Sequence, residues 1–341
     1  MSDQATNARL TSLWDATDRL LEGATLAGIL VHKLGPLAAN RLRRLGEPVP
    51  QPLALEERAA RLSMLTGVPL VQRIRESCDG QLILIKGPEV ASLYPGEARR
   101  FGDIDLLSDN AATVQKSLIC SGFLEAPDPD FDVTPQHHHL QPLRWPTNLL
   151  KVEVHKDPNW PKRTHSPLAE ILDACIPSAL QIDGVRAPAP LHHALILASH
   201  AWEQRPLQTL RDLIDIVVVS ADVDERELDR TARAWGVGRI WRTTQRAIDA
   251  IFHGGRSTVP LRSWAKHLEL VRERTVLERH LALLFQGYWG MPPHSASAET
   301  LRALSHVLVP SQGETWRNKL TRTRRAIRNP RAPAKRRDLH E

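Results

Sequence analysis

The chain is 341 residues long, 42% hydrophobic and 25% charged, with a formal net charge of +6. This balance lies near the globular average and excludes a collagenous, disordered or disulfide-built protein, while the length allows one large domain or two ordinary ones. Three cysteines, Cys78, Cys120 and Cys175, stand far apart with no C-x-x-C pair, which fits a reducing compartment and a cytoplasmic location.

The positive charge is concentrated at one end. Between Arg317 and Arg337 lie ten basic residues and no acidic one, so residues 1–316 are close to neutral. Such a tail, interrupted by Pro330 and Pro333, is expected to be a solvated terminus, with a weak nucleic-acid contact as its partner role. The opening MSDQATNARL lacks the basic-then-apolar order of a signal peptide. The most apolar early stretch, Ala24 to Asn40, contains His32, Lys33 and Pro36 and falls short of the ~18 apolar residues that a membrane span requires. No membrane span is expected.

In chain order, residues 5–45 carry apolar positions at helical spacing, among them Leu10, Leu13, Trp14, Leu20 and Leu21, which predicts one or two helices. The run GEPVPQP breaks them. Further helices are expected over 53–65 and from Pro69 to about Ser77, closed by the turn dipeptide Asp79-Gly80. The pattern then changes to short apolar runs at 82–85, 104–107 and 150–154, read as strands, with a helix over 111–121 between the second and third. Helical periodicity returns from about Pro188, through 191–199, 207–219, 225–235, 240–252 and a long stretch over 263–285, with a last turn or two at 301–309. The expected architecture is α+β: an N-terminal helical segment (1–52), a small mixed-sheet core (53–185), a helical C-terminal domain (186–312) and the basic tail (313–341).

The chemistry concentrates in Arg99-Arg100-Phe101-Gly102-Asp103-Ile104-Asp105. In an extended chain residues i and i+2 share a face, so Asp103 and Asp105 project together while Ile104 enters the core. Asp-x-Asp alone also marks exposed strand ends. Two adjacent carboxylates repel, and a hard dication such as Mg²⁺ or Mn²⁺ removes that cost. Glu153, in the alternating segment Lys151-Val152-Glu153-Val154-His155, is the expected third ligand, and Asp132 is the runner-up. Three such carboxylates can hold two metal ions ~3.5–4 Å apart, and the ions clamp the attacking and leaving oxygens of an in-line phosphoryl displacement.

The stretches LILIKGPEVASLYPGEARRFGDIDLLS, LKVEVHKDPNW and LHHALILASHAWEQRPLQTLRDLIDIV, taken together, resemble bacterial uncharacterised nucleotidyltransferases of the polymerase-beta-like superfamily. The resemblance covers roughly Leu53 to Val219. It implies a small mixed sheet with flanking helices, Asp103 and Asp105 as metal ligands, Glu153 as the third acidic position, and Gly87 at the turn where backbone approaches the triphosphate. Two features depart from the superfamily pattern: Pro88 follows Gly87 and supplies no N–H, and the gap from Gly87 to Asp103 is long. Triphosphate contact is therefore expected from Lys86, Arg99 and Arg100 beside Gly87 and Gly102, or these arginines are ordinary loop cations.

Other residues carry weaker signals. The run His137, His138 and His139 reads as a polar loop rather than a zinc site, since no second ligand cluster accompanies it. His155 shares a face with Glu153 and either contacts nucleotide, orients the carboxylate or simply packs. His200 and Asp215 match recurring positions of the resembled family, and Arg211 with Asp215 is spaced as a helical ion pair. Trp202, Trp235, Trp241, Trp264 and Trp289 read as core. The expected function is transfer of an NMP from an NTP, such as ATP, to a hydroxyl or phosphate on a small molecule, peptide, protein or RNA, with release of pyrophosphate. The alternative is a non-catalytic nucleotide- or RNA-binding module. Convergence of Glu153 with Asp103 and Asp105 distinguishes them.

Overall fold

The computed structural model describes residues 2–126, 138–161, 164–285, 287–290, 293–310 and 315–328. Three helices open the chain: α1 (Ser2–Glu22), α2 (Leu26–Val31) and α3 (Gly35–Arg44). The Thr25 hydroxyl starts α2 by accepting from the Gly28 N–H at 3.1 Å. Next comes α4 (Gln51–Ser77), followed by β1 (Leu82–Leu84), the short α5 (Pro88–Ala91), β2 (Asp103–Leu107) and α6 (Ala111–Cys120). Then come β3 (Leu124–Glu125), β4 (Leu143–Arg144), β5 (Lys151–His155), α7 (Leu168–Asp173), β6 (Ile176–Pro177) and β7 (Val185–Ala187). Helices follow from there: α8 (Pro190–Gln204), α9 (Leu210–Val219), α10 (Glu225–Ala234), α11 (Gly238–Phe252), α12 (Val259–Ser263), α13 (Lys266–Glu269), α14 (Val276–Phe285), α15 (Gly287–Gly290), α16 (Pro293–Leu308) and α17 (Trp316–Arg328).

The seven strands form one mixed sheet in the order β3-β4-β5-β2-β1-β7-β6. β2 runs antiparallel to β1 and parallel to β5. The fold is therefore α+β, as the sequence predicts.

The central strands alternate, and each face of the sheet has its own cover. Leu82, Leu84, Ile104, Leu106, Val152 and Val154 share a buried cluster with Met64, Leu70 and Ile74 of α4 and with Val114 and Leu118 of α6. Ile83, Ile85 and Leu107 belong instead to a cluster with Leu13, Leu37, Leu195, Leu213 and Ile248, so the N-terminal helices meet α8, α9 and α11 on one face. Asp103, Asp105, Glu153 and His155 lie in phase with Leu107, on that second face. Helices α8 and α9 bound it.

Four expectations are corrected. The two helices at 53–65 and 69–77 are one, because Pro69 is accommodated inside α4. The carbonyl that Pro69 leaves without a donor belongs to Leu65, whose residue is exposed to water, and both halves stay anchored to the same core. The stretch 263–285 is three helices rather than one, and the last start is a capping box: Glu278 N–H donates to the Thr275 hydroxyl at 3.2 Å while Thr275 N–H donates to the Glu278 carboxylate at 2.8 Å. The Thr-x-x-Glu signature was present in the sequence. The basic tail is helical over Trp316–Arg328 rather than an unstructured terminus. Finally, β3, β4, β6 and β7 are two or three residues long, too short for a period-2 pattern to register. No helix among the described residues is long and apolar enough to cross a membrane.

Candidate functional site

The site is built on the parallel pairing of β2 with β5, which sets Asp103 opposite Lys151, Asp105 opposite Glu153 and Leu107 opposite His155. The side chains of Asp105 and Glu153 therefore stand side by side on one face. His155, two residues beyond Glu153, points the same way, and its Nε2 lies 2.9 Å from Asp105 Oδ1 and 3.7 Å from Glu153 Oε2. One ligand atom from each of Asp105, Glu153 and His155 falls within 4.8 Å of the others. Asp103 is outside this tight set, one alternation earlier on the same strand. Convergence of Asp105 with Glu153 is as expected from the sequence, and the third member at close range is an imidazole.

Burial makes the charges costly. Asp105 is 3% exposed and His155 fully buried. Desolvation by itself would raise Asp105, but the hydrogen bond and charge of His155, with Lys86 nearby, hold its carboxyl below the usual range. Burial would likewise lower His155, yet its bonds to Asp105 and Glu153 carry the imidazole up to about 9. For Asp103, burial first, then the charges of Asp105 and Glu153, outweigh the pull of Lys86 and Arg211 and push it up to about 6. Two buried atoms of the set, Asp105 Oδ2 and His155 Nδ1, have no hydrogen-bond partner among the described residues.

The turn after β1 brings the cation. Gly87 has φ +65° and ψ −127°, a conformation open to glycine, and a Cβ there would lie 2.8 Å from the Asp103 carbonyl oxygen. The backbone of the turn thus lies directly against β2. Lys86, just before it, is partly buried, and desolvation lowers its ammonium against the opposing pull of Asp105 and Asp103. Pro88 occupies the first position of α5, where its missing N–H costs nothing.

The two loop arginines differ in their commitments. Arg99 is buried and grips Asp215 of α9 with a fork, Nε to Oδ1 and Nη2 to Oδ2 both at 2.7 Å. Its Nη1 donates to the Gly87 carbonyl at 3.3 Å, and Tyr94 O–H donates to Asp215 at 2.6 Å. Asp215 therefore pairs with Arg99 rather than with Arg211, its expected helical partner. Arg100 is exposed and paired with Glu56 at 2.6 Å. Gly102 is exposed, and its carbonyl accepts from Lys151 N–H at 3.1 Å, starting the β2–β5 ladder.

The helices and the histidine run close the far side. His193 of α8 bonds the Ile85 carbonyl at 2.9 Å through Nε2, which docks α8 on the end of β1. His200, two turns on, is buried, and burial with the Lys86 charge lowers its imidazole well below the ordinary value. His139 is paired with His155 by an isolated antiparallel bridge, and its Nε2 is 4.0 Å from Glu153. The ring of His138 lies 5.2 Å from that of His155 and 6.1 Å from that of His200. Read from sequence as a polar loop, His138 and His139 in fact lean on the site. Asp132, the runner-up carboxylate, and His137 lie outside the described residues.

One contributor had no sequence signal. Lys33, between α2 and α3, adopts φ +58°, and its neighbour His32 accepts the Leu210 N–H at 3.2 Å through Nδ1. That bond holds the loop at the start of α9, beside Arg211 and Asp212. Arg211 first and burial second lower the Lys33 ammonium, with Asp212 and Asp103 opposing. Arg211 itself donates to the Arg100 carbonyl at 3.1 Å. Lys33, Lys86 and Arg211 thus gather positive charge beside Asp103.

No curated protein and no solved structure matches this sequence. The model of a family described as uncharacterised nucleotidyltransferase matches residues 23–253. That span includes Lys33, the strands that carry the carboxylates and the helices that cover them, and the chain belongs to the uncharacterised nucleotidyltransferase family.

Proposed function

We propose that the protein transfers an NMP from an NTP to an acceptor hydroxyl or phosphate, using a divalent ion held at Asp105 and Glu153 with Asp103 alongside. The observation that carries this reading is the pairing of Asp105 with Glu153 across two parallel strands, with Lys86 at the same end of the sheet. The donor set fits a cation, since buried Asp105 Oδ2 is an acceptor without a hydrogen-bond partner among the described residues. Bound there, a divalent ion would neutralise phosphate charge and activate the acceptor oxygen.

The residues of the chain do the remaining work. The acceptor O–H loses its proton to a carboxylate, Asp103 or Glu153, as its oxygen bonds the α-phosphorus, and the bond from that phosphorus to the pyrophosphate oxygen breaks. Asp103 suits the proton transfer by position, since it shares the sheet face of Asp105 and Glu153 without belonging to their tight set. Lys86, Lys33 and Arg211 offset the charge of the departing pyrophosphate. Arg99 acts at one remove, holding the Gly87 turn and α9 together.

The test is incubation of the purified protein with each labelled NTP, Mg²⁺ or Mn²⁺ and cell extract, with Asp105→Asn as control. Label from the α-phosphate on one acceptor, absent with the variant, is the expected result. NTP binding without transfer or pyrophosphate release under any condition would leave the binding module as the better reading.

A further inference from the structure

The carboxylate pair does not stand among oxygens alone. His155 directs Nε2, rather than its ring edge, between Asp105 and Glu153, at 2.9 Å from Oδ1 and 3.7 Å from Oε2. In metal centres with ligand bonds of about 2.0–2.2 Å, neighbouring ligand atoms sit roughly 3.0 Å apart for octahedral and 3.4 Å for tetrahedral geometry. The two distances bracket those edges, and a bound ion would replace the hydrogen bond between His155 and Asp105 by displacing the proton from Nε2. The convergent set is Asp105, Glu153 and His155, and Asp103 is not in it. A second observation also points to a ligand: Asp105, 3% exposed, presents an Oδ2 with no hydrogen-bond partner among the described residues. Around the set are further imidazoles, with the His138 ring 5.2 Å and the His139 ring 5.4 Å from that of His155.

Mg²⁺ demands oxygen ligands and gives up its waters reluctantly, whereas imidazole suits iron, nickel, copper and zinc among the first-row ions. We infer that His155 is a direct metal ligand and that the site, through its mixed nitrogen and oxygen donors, selects a first-row transition-metal dication over Mg²⁺, with Mn²⁺ the weakest binder of that series. The inference rests on the proposed function for its purpose and on the geometry of β2 and β5 for its substance. It places the selecting residue at Leu107's register partner, on the strand that also carries Glu153.

Manganese itself is the probe. Binding of Mn²⁺ to the full chain is followed by loss of the free-ion electron paramagnetic resonance signal, with Mg²⁺ as competitor. Pulsed measurements on the bound ion then look for nitrogen coupling, before and after labelling of histidine with ¹⁵N. Mn²⁺ is expected to bind more tightly than Mg²⁺. The bound ion should show a nitrogen coupling that changes on labelling, and His155→Asn should remove the coupling and bring the two affinities together. Should that buried substitution prevent folding, the triple variant His138→Asn/His139→Asn/His200→Asn serves, because it removes the other described imidazoles beside the set and leaves His155 to supply a surviving coupling. Bound Mn²⁺ without nitrogen coupling, a coupling lost in the triple variant, or Mg²⁺ competing on equal terms would each overturn the inference. Transfer supported by Mg²⁺, together with bound Mn²⁺ that shows no nitrogen coupling, removes this inference and spares the proposed function. Tight, nitrogen-coupled Mn²⁺ without transfer keeps the inference and removes that function.

Discussion

At the scale of single residues, Asp105 concentrates the chemistry. Asp105→Asn keeps the shape and an oxygen to accept from His155 but removes the charge a cation needs. Transfer should fall by about three orders of magnitude, and stability should fall by roughly 1–3 kcal/mol because the buried His155 loses its nearest counter-charge. Turnover near that of the unaltered protein would sink the assignment. His32 gives a second prediction. Burial, outweighing its backbone bonds, lowers its imidazole to about 4, and Nδ1 must stay unprotonated to accept from Leu210. The folded ring therefore refuses a proton that the unfolded ring accepts near 6.5, so its contribution is present above that pH and is lost as pH falls toward 4. Relative to His32→Asn, the unaltered protein should lose about 1.4 kcal/mol per pH unit across this window. Urea midpoints for both proteins at pH 6.5 and 4.5 measure it, and a constant difference would contradict the buried neutral ring.

At the scale of elements, the link between the loop before β2 and helix α9 is an ion pair with almost no water around it. Arg99 and Asp215 are each about 4% exposed and joined by two bonds of 2.7 Å, with Tyr94 adding a third contact to the carboxylate. Removing one partner strands the other charge in the interior. Arg99→Met should cost about 3–5 kcal/mol, and the pair Arg99→Met/Asp215→Leu should recover most of it, because no uncompensated charge remains. Thermal or denaturant unfolding of the three variants checks this. A single variant as stable as the original would show that the fork does not hold the elements together and would restore Arg99 as a free phosphate contact.

For the whole molecule, the sheet face that carries the site is covered by helices that precede and follow the strands. Leu13 and Leu37 from the first helices share a cluster with Leu195, Leu213 and Ile248 from the later ones. The last described helix is different in kind. In α17, Trp316 is 62% and Leu320 53% exposed, and the one buried side chain described there is Lys319. Deleting 316–341 should therefore shift the melting temperature by less than about 2 °C. A larger drop in a calorimetric scan would make that helix part of the core's cover.

Much of the site was legible in the chain itself. Alternation in 103–107 and 151–155 is local, and it determined that Asp103 and Asp105 share a face, that Glu153 and His155 share another stretch of strand, and that Ile104, Val152 and Val154 are core. The glycine before Pro88 likewise announced a turn. Register is not local, since any offset of β5 against β2 leaves both patterns unchanged, and only the folded sheet decided that Asp105 stands opposite Glu153. The same holds for charge partners. A sequence shows that Asp215 lies four residues from Arg211, but long-range packing gave it to Arg99. Lys33 and the pair His138 and His139 were unreadable for the same reason: they reach the site across large separations in the chain, through a buried hydrogen bond at His32 and a bridge at His155. Chemistry-bearing residue types and their faces are properties of short segments. Which of them meet is a property of the closed fold.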